Sequence, residues 1–132
     1  MKKYENFSKA LSNLHEGVLL EEPYTVVEQA GIIGLFSICF EQSWKLIKDV
    51  LEKHGRFEGN IGSPRAIIKI AFQCHMIDDE GLWLEILEAR NILAHTYSDE
   101  QSITIIRRLK EKYIIAFDRL QAVILEAWLS DT

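Results

Sequence analysis

Apolar residues recur at intervals of three and four along almost the entire chain, a spacing that places them on one side of an α-helix. The chain contains only two prolines, Pro23 and Pro64, and both stand where a helical pattern begins. No stretch of useful length alternates between apolar and polar residues as a half-buried β-strand does. The sequence therefore predicts an all-α protein, specifically an up-and-down four-helix bundle with one additional short helix.

Residues that suit helix ends divide the chain into these helices. Gly55 follows the second helix, and Ser63 is an N-cap with Pro64 at the first position of the third helix. Ser98 is the N-cap of the last helix and is followed by two acidic residues. The predicted helices span residues 3 to about 19, about 24 to 54, 64 to about 75, about 81 to 96, and about 99 to 127.

The second predicted helix is the longest and carries apolar residues on two sides. Its main stripe consists of Val26, Ala30, Ile33, Phe40, Trp44, Ile47 and Leu51. A second stripe, between residues 30 and 40, consists of Ile32, Leu35, Phe36 and Cys39. A helix that is apolar nearly all round must be covered on more than one side. In so short a chain this pattern predicts a subunit interface, and we expect a homodimer.

The length of 132 residues fits a single domain, residues 1–132, that buries a core without disulfides or a structural metal. The two cysteines form no C-x-x-C pair, and the histidines outside the fourth helix show no zinc-ligand spacing, so we predict neither a metal nor a cofactor. The most apolar run, residues 30–40, is shorter than the roughly 20 residues of a membrane span, and the start lacks secretory-signal features. We expect a cytoplasmic protein without a membrane span.

The formal net charge of -5 limits how the chain can act on nucleic acids. At this charge the field of the whole molecule repels phosphate backbones unless positive residues are concentrated on one face. Broad, affinity-driven nucleic-acid binding is therefore disfavoured. A local site for one phosphate requires only a few Arg, Lys and His side chains, so any such function depends on a local cluster.

One such cluster stands at the end of the fourth predicted helix, which carries Arg90, Asn91, His95 and Tyr97. If this helix continues to residue 96, Asn91 and His95 lie one turn apart on the same side. Arg90 and His95 then lie about 140° apart around the axis and roughly 7.5 Å apart along it. A short contact between them within one chain is awkward. Two copies of the helix end facing each other across a two-fold axis would combine them more easily.

The chemistry of these residue types suits work on a phosphate. Arg90 supplies a planar, permanently charged fork that matches phosphate oxygens. His95, in the last predicted turn, lies at the negative end of the helix dipole, which favours the protonated imidazole needed to protonate a leaving oxygen. Asn91 can orient the imidazole or the substrate by hydrogen bonds. The alternative is structural, since an Arg, a His and a Tyr near a helix end often serve as capping or interface residues.

The Arg-Asn-x-x-x-His-x-Tyr spacing of residues 90–97 resembles the R-x4-H-x-Y signature of HEPN domains, the helical partners of minimal (MNT) nucleotidyltransferases. Three further blocks extend the resemblance: F-E-Q-S-W-K at residues 40–45, G-S-P-R at residues 62–65, and Trp83. Their order and spacing, over roughly residues 7 to 125, are similar to those of the nucleotidyltransferase substrate-binding protein family.

This resemblance implies a helical bundle that dimerises and pairs with a separately encoded MNT nucleotidyltransferase. In toxin-type HEPN relatives, the residues that match Arg90 and His95 carry out metal-independent RNA cleavage, in which the RNA 2′-hydroxyl attacks the adjacent phosphate. The tyrosine that matches Tyr97 is nucleotidylated by the partner, which silences the ribonuclease. The resemblance thus implies a catalytic set of Arg90, Asn91 and His95, with Tyr97 as a regulatory residue.

Three other residues are candidates for a supporting role. Glu41 has the helical spacing of a surface ion-pair row with Lys45 and Lys48, which is the favoured interpretation. Glu41 also interrupts an apolar run, so it could instead face the His95 site. Arg65 follows a helix start and is explained by it, yet an Arg beside a helix N-terminus could also help to hold an anion.

The sequence leaves three functions open. The favoured one is a HEPN subunit that cleaves RNA as a toxin and is controlled by its nucleotidyltransferase partner through Tyr97. The rival is a non-catalytic subunit that binds a nucleotide or another acceptor and presents it to the transferase through the same polar groups. The third is a helical scaffold with no site.

Overall fold

The helices of this chain form a bundle. The computed structural model describes residues 1–57, 59 and 62–129, and these residues contain helices and no strand. The helices are α1 (Lys2–Gly17), α2 (Val26–Lys53), α3 (Pro64–Gln73), α4 (Glu80–Leu93), α5 (Asp99–Arg108) and α6 (Ile114–Val123). Two π-helical turns, Leu109–Tyr113 and Ile124–Trp128, continue α5 into α6 and extend α6. The prediction of an all-α bundle is confirmed. The predicted last helix is one continuous helical segment, residues 99–128, that contains the two π-helical turns, and we call this segment the rod.

Side-chain caps fix where these helices begin. Ser63 accepts a hydrogen bond from the backbone N–H of Ala66, with Pro64 in the first turn as predicted. Ser98 accepts from the backbone N–H of Gln101, whose side chain in turn accepts from the backbone N–H of Ser98. These capped starts agree with the sequence.

The core forms where α1, α2, α4 and α6 meet. The buried ring of Phe117, on α6, lies 6.4 Å from Phe7, 6.3 Å from Phe36 and 5.6 Å from Trp83, measured between ring centroids. Tyr113 stacks on Phe36 at 5.9 Å. Edge and offset contacts of this kind add to the burial of the rings themselves. One aromatic cluster therefore holds four helices together.

The main stripe predicted for α2 is wrong at its first two positions, although Ile33 is buried as predicted. Val26 is 87% exposed and Ala30 is also exposed, whereas Ile32 and Phe36 of the second stripe are buried. The cause is the approach of α1, since a Cβ atom added to Gly17 would lie only 2.9 Å from the Leu35 side chain. Because both sides of α2 are apolar here, the sequence pattern did not distinguish the face that α1 covers.

A polar contact anchors α4 to the first π-helical turn. The hydroxyl of Tyr113 donates a 2.7 Å hydrogen bond to Glu85, and this bond holds the pKa of the Glu85 carboxyl below its ordinary value. Burial, followed by this same carboxylate, raises the pKa of Tyr113. The contact thus joins the first half of α4 to the long last helix. Among residues 1–57, 59 and 62–129, none of the helices combines the length and apolar character needed to cross a membrane.

Candidate active site

Arg90 lies in the last turn of α4, and its half-buried side chain reaches α2. There the guanidinium forms an ion pair with Glu41, and Cζ lies 5.6 Å from the centroid of the Phe40 ring. Nη1 donates a 3.1 Å hydrogen bond to Oδ1 of Asn91. A carboxylate, an amide oxygen and an aromatic face thus hold the guanidinium in place.

Glu41 faces α4 rather than forming a surface row with Lys45. Its carboxylate pairs with Arg90 and accepts a 3.2 Å hydrogen bond from the indole N–H of Trp44. Lys45 is exposed and makes no ion pair with any described residue. The favoured interpretation of Glu41 is therefore wrong, because packing of α2 against α4 brings a stronger partner within reach. Glu41 is instead turned toward Arg90, and the alternative that it faces the His95 site stays a prediction.

His95 is not in the last turn of α4, which is a correction to the predicted helix. The helix ends at Leu93, Ala94 is its C-cap, and the His95 backbone N–H makes only a short turn to Ile92. The early end has a physical reason, because Ser98 must take an extended conformation (ψ 162°) to cap α5. The predicted helical separation of Arg90 and His95 therefore does not hold. The imidazole is exposed and has no hydrogen-bond partner in the described chain.

Tyr97 lies on the segment between α4 and α5 and is 37% exposed. Its side chain lines a groove of about 230 Å³ at the beginning of α2. We call this cavity the Tyr97 groove, and its other lining residues are Tyr24, Val26, Gln29, Ala30, Ile33 and Asp99. The Arg90 contact lies near residues 40–41 of α2, so the chain from Arg90 to Tyr97 runs antiparallel to α2.

The structure brings together part of the predicted set. Arg90, Asn91 and Glu41 are in contact, and Tyr97 lies farther along the same side of α2. Arg65 is exposed at the start of α3 and forms no hydrogen bond or ion pair to these residues. The described ranges contain no group of three or more His, Cys, Asp or Glu residues arranged to hold a metal ion.

Sequence reasoning missed two features of this region. The first is the support of Arg90 and Glu41 by Phe40 and Trp44, which the sequence assigned to the apolar stripe of the second helix and not to the site. Phe40 lies one residue before Glu41 and Trp44 lies three residues after it, and this helical spacing was the sequence signal that could have indicated the contact. The second is the Tyr97 groove, which forms between segments distant in sequence and left no local signal.

Fold and site together define a class: a helical bundle with an Arg-x4-His-x-Tyr segment that starts in the last turn of the fourth helix and continues beyond its end. The arginine is paired to an acidic residue of the second helix. The model of the family described as "Nucleotidyltransferase substrate binding protein like" matches residues 2–126. The chain belongs to this family, and the resemblance found in the sequence is confirmed.

Two relatives are similar to this chain. One is named "Probable ribonuclease HepT", from Haemophilus influenzae, and is 27% identical over 84 residues. That alignment covers 62% of this chain and 58% of the relative, so the chain spans little more than half of its length. The other is a Thermus thermophilus protein of known crystal structure, 29% identical, with a TM-score of 0.78. It is matched over 88% of this chain and 96% of its own. This likeness supports the helical bundle.

Proposed function

We propose that this chain is the HEPN subunit of a two-component HEPN/MNT system, a homodimeric, cytoplasmic, single-domain ribonuclease toxin controlled through Tyr97. One observation carries the proposal: Arg90 is held in place in the last turn of α4, and an exposed His95 and an exposed Tyr97 follow it on the segment that leads to α5. The name of the Haemophilus influenzae relative, a probable ribonuclease, supports the same reaction.

The proposed reaction breaks one phosphodiester bond of RNA. The 2′-oxygen attacks the adjacent phosphorus, the bond to the 5′-oxygen breaks, and the products are a 2′,3′-cyclic phosphate and a 5′-hydroxyl. Arg90 balances the negative charge that develops on the phosphate, and Asn91 keeps the guanidinium oriented. An imidazole can carry or release a proton near neutral pH. A protonated His95 therefore donates a proton to the leaving 5′-oxygen, while a neutral His95 of the second copy accepts the 2′-hydroxyl proton.

The exposed face of α2 supports the homodimer. Val27 is 81% exposed and Ile38 is 54% exposed, and Gly31 and Gly34 lie between them at helical spacing. We call these four residues the α2 stripe. The stripe contains no charged residue, although it faces solvent along almost three turns. It leads toward the Arg90 contact at residues 40–41, so a second copy packed on it would bring two sets of Arg90 and His95 close together.

A charge placed on this face tests the dimer. Ile38→Glu is expected to convert the protein to a monomer, because a dimer would have to bury the added carboxylate without a partner. Light scattering at fixed protein concentration measures the change, and RNA cleavage should fall with the dimer. The matched control is Ile115→Glu, on α6, where the isoleucine is also about half exposed. An Ile38→Glu protein that remains dimeric would place the interface elsewhere.

Cleavage itself is tested with the purified wild-type protein, free of any transferase. Incubated with RNA in the presence of a chelator, it is expected to yield fragments with 2′,3′-cyclic phosphate ends, detected by mass spectrometry. It is also expected to slow growth when expressed alone. If the dimer cuts no RNA and is harmless in cells, the ribonuclease proposal is wrong.

A second candidate, a non-catalytic subunit that presents a nucleotide or other acceptor to the transferase, is favoured by the ion pair between Glu41 and Arg90. In that pair the carboxylate of Glu41 already neutralises the positive charge of Arg90 that would otherwise stabilise the phosphate of a reacting RNA. Mass spectrometry of the protein after incubation with the transferase and ATP separates the two candidates. A nucleotide adduct on Tyr97 supports the regulated ribonuclease, whereas tight binding of unmodified nucleotide without an adduct supports the presenting subunit.

A further inference from the structure

The Tyr97 groove offers a small, preformed cavity directly beside the proposed regulatory residue. Its walls are of mixed character: Val26, Ala30 and Ile33 of α2 and the rings of Tyr24 and Tyr97 supply apolar surface, and Gln29 and Asp99 supply polar surface. At about 230 Å³ it lies below the 300–1,000 Å³ typical of sites for whole drug-sized ligands. It therefore suits a single planar ring system with the rest of the molecule outside.

Neighbouring contacts hold the groove in shape. Lys110 lies over the Tyr24 ring, with Nζ 5.3 Å from the ring centroid, and its ammonium donates to the carbonyl of Leu20. Arg107 donates two hydrogen bonds, of 3.0 and 2.7 Å, to the carboxylate of Glu22. These contacts tie the segment before α2 to the rod, so the aromatic wall of the groove does not depend on a ligand for its position.

Two of the polar side chains that line the groove, Gln29 and Asp99, offer hydrogen-bond acceptors. The Gln29 side chain donates through Nε2 to the Oγ of buried Ser102 at 2.6 Å, a bond that orients the amide and leaves its oxygen as an acceptor. Asp99 adds a carboxylate, which accepts and cannot donate. A ligand complementary to this set is flat, apolar on its faces and supplied with N–H donors. The carboxylate also disfavours a phosphate inside the groove.

We propose that the Tyr97 groove binds the base of a nucleotide joined to Tyr97, with preference for a base that carries an exocyclic amino group, such as adenine. This inference rests on the proposed nucleotidylation of Tyr97. In that step the Tyr97 oxygen attacks the α-phosphorus of a nucleoside triphosphate held by the transferase. The bond to pyrophosphate breaks, pyrophosphate leaves, and the phenolic proton passes to a base of the transferase.

Because the nucleotide is attached to Tyr97, even a shallow groove can hold its base. A group joined by a short linker acts at an effective concentration in the millimolar range, so a base with only weak affinity when free remains docked once it is tethered. The docked base would hold the attached phosphate over the segment that contains His95. Silencing of the ribonuclease would then depend on where the nucleotide sits as well as on its charge.

The test uses the wild-type protein and two free nucleotides, followed by NMR. Adenosine 5′-monophosphate at millimolar concentrations is expected to shift the methyl signals of Ala30 and Ile33 and the ring signals of Tyr24. Uridine 5′-monophosphate, which has no amino group, is expected to bind at least fivefold more weakly. Equal responses to both nucleotides, or no response at these residues, would overturn the inference.

Two variants of groove residues, with one control variant, test whether the nucleotide binds in the groove. Ala30→Phe fills the groove and is expected to weaken the adenosine response at least tenfold, whereas Ala122→Phe, at an exposed alanine of α6, leaves it unchanged. Asp99→Asn keeps the cavity but supplies a donor, so the preference for adenosine over uridine is expected to fall. If Ala30→Phe binds as wild type, or if Asp99→Asn keeps the full preference, the groove is not the base site.

Failure of the inference and failure of the proposed function give different results. Tyr97→Phe removes the acceptor hydroxyl and retains the ring, so it should still respond to adenosine 5′-monophosphate. A groove that binds this nucleotide in a protein whose Tyr97 is never modified would refute only the nucleotidylation. A Tyr97 that is modified while the groove residues ignore the nucleotide would refute only the base site.

Discussion

His95→Ala is expected to lower RNA cleavage by about 10² to 10⁴-fold, the range usual for loss of a positioned proton donor or acceptor. Its effect on folding is expected to be small, because the imidazole is exposed and bonds to no described residue. Cleavage of a defined RNA measures the first effect, and urea unfolding measures the second. His15→Ala is the matched control, since His15 is exposed on α1 and pairs with Asp118. A His95→Ala protein with more than half of wild-type activity would remove His95 from the mechanism.

Arg90→Ala differs from His95→Ala in an informative way. The sequence alone predicts lost cleavage with intact folding. The structure adds a stability cost of about 1 kcal/mol, because the half-buried carboxylate of Glu41 loses its partner. Glu41→Gln in the same protein should recover that stability without restoring cleavage, which separates the structural role of Arg90 from its contact with phosphate.

Phe117→Ala is expected to lower the free energy of unfolding by about 3–5 kcal/mol, the usual cost of removing a fully buried aromatic ring. Native domains are stable by only about 5–15 kcal/mol, so this single change removes a large share. The cost is high because the ring contacts Phe7, Phe36 and Trp83, which come from three other helices. Urea unfolding at fixed protein concentration measures it, since a dimer makes stability depend on concentration.

Ile115→Ala is the control for this core change. Ile115 lies two residues away on the same helix and is about half exposed, so its removal should cost far less. If Phe117→Ala and Ile115→Ala prove equally mild, the aromatic cluster does not hold the four helices together.

The sequence predicted the helices well because their signals are local. Caps at Ser63 and Ser98 and the spacing of apolar residues each involve only a few neighbouring positions. The first part of α2 was misassigned because local spacing cannot rank two apolar sides. The exposure of Val26 and the burial of Phe36 depend on where α1 approaches, which is a tertiary property.

The candidate site was predicted in its residues and not in its geometry. The spacing from Arg90 to Tyr97 pointed to the correct segment, yet His95 lies beyond the helix because the cap at Ser98 requires an extended backbone. The partnership of Arg90 with Glu41 joins residues nearly fifty positions apart, so no local pattern could establish it.

The same partnership determines how a polyanion would approach this end of the molecule. A guanidinium in contact with a carboxylate has a field that fades over a short distance, and physiological salt screens what remains beyond about 8 Å. With a net charge of -5, the chain lacks the long-range attraction that draws nucleic acid to basic proteins. Its rate of encounter with RNA should therefore hold steady or rise slightly as salt is added, whereas a basic nuclease slows under the same change.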